Sequence, residues 1–193
     1  QAHLALCWLG NNAALSAVTN YDNLNGTQLT PVAEFQADFV EIAERLNAAS
    51  TRVVFGNIPD VTDIAYLVDG ADLVRFLGSD LGLAPGSYTT IVAMLLIRVG
   101  ILDGSIVQDP AWVLDASETA AVQQRIATFN TIIQDTADGL GPPAADLNAA
   151  FKGLPTSPPT FYGIPATADL LGGLFSLDGV HPSNTGHALL ANA

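Results

Sequence analysis

Short apolar runs alternate with longer amphipathic segments along this chain. The runs "HLALCWLG" (3–10) and "TRVVFGN" (51–57) are mostly apolar and end at turn residues, which is typical of buried strands. A weaker third strand is predicted for "AADLNAAF" (144–151). Apolar residues recurring at a helical period predict helices from about Val32 to Ala49 and from about Ser117 to Asp138.

The two long helices each have one apolar face that we expect to pack inward. These faces consist of Val32, Phe35, Phe39, Ile42 and Leu46 in the first helix, and Val122, Ile126, Phe129 and Ile133 in the second. A last helix is predicted to begin near Pro182. Strands alternating with helices indicate an α/β fold with a parallel sheet, and we interpret 1–193 as one domain.

The stretch 62–115 interrupts this alternation. It contains many glycines and prolines and only short helical patterns, and it is too long for a plain connection. We therefore expect an insert that forms a lid or a substrate wall. Its apolar part, "TTIVAMLLI" (89–97), is predicted to face an acyl group or the core beneath it.

Charge and cysteine content narrow the function classes. The 193 residues carry 19 Asp and Glu against 6 Lys and Arg, a net charge of −13, which argues against a nucleic-acid partner because few cations could neutralise phosphates. Cys7 is the single cysteine, so neither a disulfide nor a thiolate metal site is expected. The three histidines lack metal-ligand spacing, so no metal site is predicted.

The stretch "DGVHP" places Asp178 three residues before His181. A carboxylate at this spacing can accept a hydrogen bond from the imidazole Nδ1–H and leave Nε2 free as a base. The alternative is a solvated acidic turn with a passive histidine, and the motif alone leaves both open. His187 is interpreted as a helix-surface or packing residue, and His3 as a strand residue without a partner.

A second polar element follows the first predicted strand. Gly10 and Asn12 would lie at the carboxyl end of a parallel strand, where open α/β sheets bind ligands. The Asn12 side-chain amide could donate to a developing oxyanion, and Gly10 would allow a close backbone approach. The alternative is that Gly-Asn-Asn is only a turn.

Taken together, these elements resemble the SGNH/GDSL hydrolase family. "WLGNN" is similar to its Gly-x-Asn-Asp block, with Asn12 at the oxyanion-hole position, and "LDGVHPSNTGHALLANA" is similar to its Asp-x-x-His-Pro block. "VVFGNIPDVT" and "DLNAAF" resemble segments between these blocks. The resemblance implies a flavodoxin-like three-layer α/β/α fold and a Ser-His-Asp triad in which Asp178 is the acid and His181 the base.

The resemblance also implies the substrate and the setting of the enzyme. It implies hydrolysis of a small-molecule or lipid ester without a metal or another cofactor, and a secreted or cell-envelope location.

The chain departs from the family pattern at three points. The Gly-Asp-Ser block and the following glycine block are absent, and Ala13 replaces an aspartate. Ser79 in "LGSD" follows no buried strand and is not expected to be the nucleophile. We therefore expect a C-terminal part whose N-terminal strands, and whose nucleophilic serine, lie upstream of this chain.

The missing strands would leave the strand 3–10 at an edge of the sheet. We expect it to pair with a second polypeptide carrying the upstream strands, or with another copy of the chain. The alternative function is a non-catalytic remnant or ligand-binding module of the same fold.

Overall fold

The computed structural model shows a mixed α/β fold and describes residues 3–25, 28–49, 52–153 and 158–192. Within these ranges the strands are β1 Ala5–Cys7, β2 Val53–Gly56, β3 Leu67–Val68, β4 Thr89–Thr90, β5 Ala144–Ala145, β6 Thr160–Phe161 and β7 Ile164–Pro165. The α-helices are α1 Asn12–Thr19, α2 Val32–Ala49, α3 Gly70–Leu77, α4 Ile91–Arg98, α5 Ala116–Leu140, α6 Leu147–Gly153 and α7 Asn184–Leu190.

The main sheet is parallel and has the order β1-β2-β5. Leu6 pairs with Val54, and Phe55 pairs with Ala144. The predicted α/β fold with a parallel sheet is therefore confirmed, although the strands are shorter than expected. Residue 51 of the second predicted strand lies outside the described residues.

The third predicted strand is only partly correct. Residues 144–145 pair with β2, but the rest of 144–151 belongs to α6. The Asp146 carboxylate accepts a hydrogen bond from the Ala149 amide at 3.0 Å, as the side chain before a helix does. This carboxylate stops the strand and starts the helix, so the apolar residues after it are helical.

One face of the sheet packs against α2 and α5. Phe55 of β2 is fully buried and contacts Phe39 of α2, and the rings of Phe35 and Phe129 stack at 4.0 Å between the two helices. The predicted inward residues of α5 are all buried. For α2 the prediction was wrong at Ile42, which is exposed, because the period that starts at Phe35 and Phe39 continues to Ala43.

Strand β1 is the open edge of this sheet among the described residues. Its Ala5 N–H donates to Arg52 O at 2.9 Å, toward β2, so by strand alternation the Leu6 N–H and C=O point away from β2. The Leu6 side chain is 75% exposed, and Leu4 on the same face is also exposed. The predicted edge position of the 3–10 segment thus agrees with the structure.

Two helices differ from the sequence interpretation. Helix α1 was not predicted, and it begins directly after the Gly10 turn. The last helix, α7, begins at Asn184 rather than near Pro182, because the Ser183 hydroxyl caps it by accepting a hydrogen bond from the Gly186 amide. None of the described helices combines the length and apolar character needed to cross a membrane.

The insert 62–115 forms a second small core beside the sheet. Strands β3 and β4 pair antiparallel, and α3 and α4 pack with them around Val68, Leu73 and Met94. Val180 packs against this cluster, next to the predicted catalytic histidine.

The insert also supports the turn that carries the Asp-His motif. The Tyr66 N–H donates to Gly179 O at 2.9 Å. Gly179 has φ +71°, and a Cβ added there would lie 2.7 Å from Ile91 Cδ1 and 2.8 Å from the Tyr66 backbone nitrogen. This turn therefore requires glycine, both for its backbone conformation and for the close approach of the insert.

We expect Gly179→Ala to lower the free energy of unfolding by about 2–4 kcal/mol, because backbone strain adds to a steric clash. Gly100→Ala is the matched control, since Gly100 has φ +74° and open space around it. The control should cost only about 1 kcal/mol. Urea unfolding measures both values, and equal losses would contradict the proposed contact between turn and insert.

Candidate active site

A cavity of about 270 Å³ opens at the carboxyl end of the parallel sheet. The segments that follow all three strands contribute to it, together with the turn before α7. Its lining includes Asn12, Asp60, Asp63, His181 and His187. Parallel strands bring their carboxyl ends to one rim, which explains why residues far apart in sequence meet here.

Asp178 and His181 form a hydrogen-bonded pair at this rim. The Asp178 Oδ2 atom lies 2.8 Å from His181 Nδ1. Because a carboxylate can only accept, Nδ1 carries the proton and Nε2 presents its lone pair. Nε2 has no hydrogen-bond partner in the described part of the chain, and His181 lines the cavity. The predicted acid-base geometry is thus present.

The other oxygen of Asp178 is held by three donors. Asp178 Oδ1 accepts hydrogen bonds from the Ser176 hydroxyl at 2.6 Å, from the Val180 amide at 2.8 Å and from the His181 amide at 3.0 Å. Burial raises the pKa of Asp178, but the bonds from Ser176 and His181 outweigh it and hold this pKa well below its ordinary value. The carboxylate stays ionised and its Oδ2 remains directed at the imidazole.

Asn12 lines the same cavity as His181, whereas Gly10 does not. Asn12 is the first residue of α1, it is exposed, and its side chain makes no hydrogen bond within the described residues. Gly10 has φ +105°, and an added Cβ would lie 2.8 Å from the Phe35 ring and 2.9 Å from Ile58. Packing against these side chains accounts for the glycine, and the turn it permits places Asn12 at the rim.

Asparagine side chains connect the loops around the rim. Asn57 Nδ2 donates to Asp146 Oδ1 at 2.8 Å, and Asn57 Oδ1 accepts from the Asn148 amide at 2.8 Å. Asn130 of α5 exchanges two hydrogen bonds of 2.8 Å with the backbone of Ile58. These bonds fix the loop after β2 against α5 and α6. Sequence reasoning missed them, although asparagine directly after a strand could have indicated such a role.

A buried carboxylate forms part of the cavity wall. Asp60 is 3% exposed, accepts from the Thr62 amide and hydroxyl, and lies 3.5 Å from Lys152 Nζ. Burial, and then the charge of Asp60, raise the pKa of the neighbouring Asp63, while Lys152 lowers it. Asp63 nevertheless reaches solvent at the cavity mouth, where water limits this rise.

His187 was interpreted as a helix-surface or packing residue; it is exposed on α7, and it also lines the cavity. His187 lies in α7, about one and a half helical turns after His181. The Ser183 cap fixes where this helix begins and therefore which way the His187 side chain faces. The sequence contained no separate signal for this position.

No hydroxyl or thiol group lines this cavity among the described residues. Ser79, already excluded on sequence grounds, accepts a hydrogen bond from the Leu81 amide in a turn of the insert. Cys7 is buried, and burial raises the pKa of its thiol. The described residues also contain no group of three His, Cys, Asp or Glu side chains that could hold a metal ion.

The insert borders the cavity through Asp63 and Ile64. The segment 89–97 was predicted to face either an acyl group or the core beneath it. It faces the core, because Ile91 and Met94 are buried in the insert core that supports Val180. The insert therefore contributes one wall and a support for the Asp-His turn.

Comparison of the chain with protein-family models and with curated proteins finds no match. The family resemblance therefore remains a prediction from the motifs, and function has to be argued from the geometry of the site.

We expect Ser176→Ala to raise the pKa of Asp178 toward the ordinary value of about 3.9, because one charge-assisted hydrogen bond is lost. A lowered folded-state pKa stabilises the fold above the unfolded pKa, and this stabilisation is lost as pH falls through the folded pKa. The variant should lose it at a higher pH. The side chains of Asp178 and His181 are exposed, so solvent screening keeps this contribution to stability small.

Carboxyl NMR titration of Asp178 measures this change. Ser176→Thr keeps the hydroxyl and should restore the low pKa. Ser16→Ala removes a hydroxyl that bonds to Gln28 O elsewhere, and it should leave Asp178 unchanged. An unaltered Asp178 titration in Ser176→Ala would show that this hydroxyl does not hold the carboxylate.

Proposed function

We propose that this chain carries the acid-base half and an oxyanion donor of a serine ester hydrolase. The observation that carries the proposal is the 2.8 Å Asp178–His181 pair facing a cavity shared with Asn12. Asn12 and the Asp178–His181 pair lie near opposite ends of the sequence, yet both lie at the same rim of the sheet. A solvated turn with a passive histidine would not require this convergence.

The proposed chemistry has two balanced steps. His181 Nε2 accepts the proton of a serine hydroxyl as the serine oxygen attacks the ester carbonyl, and Asp178 stabilises the resulting imidazolium. The Asn12 amide donates to the oxyanion. The imidazolium then protonates the departing alcohol, which leaves an acyl-serine. Water, deprotonated by His181, attacks this acyl group in the same way and releases the acid and the serine.

The serine is proposed to come from sequence ahead of Gln1, on a strand that pairs with β1. A strand added parallel to β1 would direct its carboxyl end to the rim beside Asn12, where none of the described lining residues carries a hydroxyl. The exposed Leu4 and Leu6 would be covered by the helix that follows such a strand. We propose a flavodoxin-like sheet on this basis, since the consecutive order β1-β2-β5 suits its second half.

The alternative is a ligand-binding module without catalysis. The absence of a hydroxyl among the described residues that line the cavity favours it. The two functions differ in one property. Once the β1 edge is paired, the hydrolase should turn over ester in a way that depends on His181, whereas the binding module should not.

We expect the 193-residue chain alone not to hydrolyse a short p-nitrophenyl ester. A polypeptide that includes the upstream segment should hydrolyse it, and His181→Ala should lower kcat at least about a thousandfold, because the base is lost. Asn12→Ala should lower kcat by about 10²- to 10³-fold, because an oxyanion donor is lost.

His3→Ala is the control for the histidine change, since His3 is exposed and does not line the cavity. Turnover by the chain alone that depends on His181 would show that the nucleophile lies within it. Complete inactivity of the longer polypeptide would favour the binding module.

Pairing at the β1 edge has its own test in hydrogen exchange. With the upstream segment present, we expect the Leu6 amide to exchange at least about a hundredfold more slowly than in the monomeric chain, because it gains a backbone acceptor. The Cys7 amide is the internal control, because it points toward β2 and should be protected in both samples.

Sedimentation of the same samples distinguishes pairing with the segment from pairing between two copies. A Leu6 amide that exchanges equally fast in both samples would exclude strand addition at β1.

A further inference from the structure

The hairpin β6–β7 stands out from the body of the protein. All six residues of 160–165 are exposed, so both faces of the hairpin reach solvent. They include Phe161 and Ile164, which pair across the hairpin, and Tyr162 at its tip. A two-stranded hairpin is only marginally stable in water by itself, and the pairing of Phe161 with Ile164 supports it but leaves both side chains exposed to solvent. These side chains are therefore placed for contact with something outside the chain.

The backbone at the tip strengthens this interpretation. Tyr162 has φ +52° and Gly163 has φ +81°, the conformation of a tight hairpin turn that favours Asn-Gly. An aromatic residue at the first of these positions is uncommon. Since the Tyr162 side chain is fully exposed and packs against nothing in the described part of the chain, the strained tyrosine favours a role in recognition.

The chemistry of the segment indicates the kind of partner. Residues 158–168, "PPTFYGIPATA", contain no charged side chain, in a chain with a net charge of −13. A protein partner would cover one face of a hairpin, whereas an apolar phase can surround both faces and the tip. Tyrosine suits the boundary of such a phase, because its ring is apolar and its hydroxyl is polar. An anionic surface would repel this chain.

A chain of hydrogen bonds links the hairpin to the catalytic turn. Its base is closed by the Ala166 amide donating to Pro159 O, and Thr167 then bridges to Gly173. The Ser183 hydroxyl donates to Gly173 O at 2.6 Å, directly after the turn that contains His181. Leu177, next to Asp178, is also largely exposed. Contact at the hairpin would therefore place the turn close to the same interface.

We propose that hairpin 160–165 inserts into an uncharged lipid–water interface. The surface binding stands by itself, while the idea that it delivers lipid-borne esters to the His181 cavity rests on the proposed function.

Vesicle sedimentation tests the binding without any need for hydrolysis. The chain should partition onto phosphatidylcholine vesicles, and less onto vesicles rich in phosphatidylglycerol. The triple variant Phe161→Ser, Tyr162→Ser, Ile164→Ser should bind phosphatidylcholine about tenfold more weakly or worse, because it loses the inserted apolar surface. Circular dichroism should show that it remains folded.

The double variant Val99→Ser, Ile101→Ser is the matched control. These residues are 66% and 69% exposed, like Ile164 at 70%, but they lie at the end of α4 in the insert. The control should bind like the unmodified chain. No binding of the unmodified chain, or equal losses in both variants, would overturn the proposal, and the first result would leave a protein partner as the occupant of the hairpin.

Discussion

Parallel pairing of three short strands is the constraint on which the rest of this structure depends. Because β1, β2 and β5 run in the same direction, the segments that follow them meet at one rim. Phe55, at the centre of the sheet, anchors this arrangement against α2 and α5. Asn12, Asp60 and Phe151 are brought to one cavity by this geometry, although they lie far apart in sequence. Hydrogen bonds from Asn57 and Asn130 then hold the loops in place.

The Asp-His turn uses two different supports. Its electrostatics are local, since the donors to Asp178 Oδ1 all come from residues 176–181. Its position is not local, because Tyr66 and Ile91 of the insert pack against Gly179. The insert thus acts as a scaffold for the Asp-His turn, and it contributes only a small part of the cavity wall. The ionisation of Asp178 is therefore set by local hydrogen bonds, whereas the position of the turn is set by the insert.

Two of the exposed apolar regions among the described residues differ in physical character. The β1 edge combines unpaired backbone groups with exposed leucines, which suits the addition of a strand. In the β6–β7 hairpin Phe161 already pairs with Ile164, and its exposed surface consists largely of uncharged side chains. Backbone groups demand a directional partner, whereas side chains alone can be covered by a fluid phase. This difference is why we propose a polypeptide for the first region and a lipid interface for the second.

Local patterns in the sequence determined those features that depend on near neighbours. The faces of α5, the fold class and the Asp178–His181 bond follow from helical period, strand alternation and a three-residue spacing. Two helix boundaries depended on local side-chain caps that the periodic patterns do not show: Asp146 ends β5 and starts α6, and Ser183 starts α7. Only the tertiary structure decided that the insert packs beneath the Asp-His turn and that His187 lies on the cavity wall. Side-chain caps and long-range packing compete with local propensity by small free energies, so a linear pattern cannot show which of them prevails.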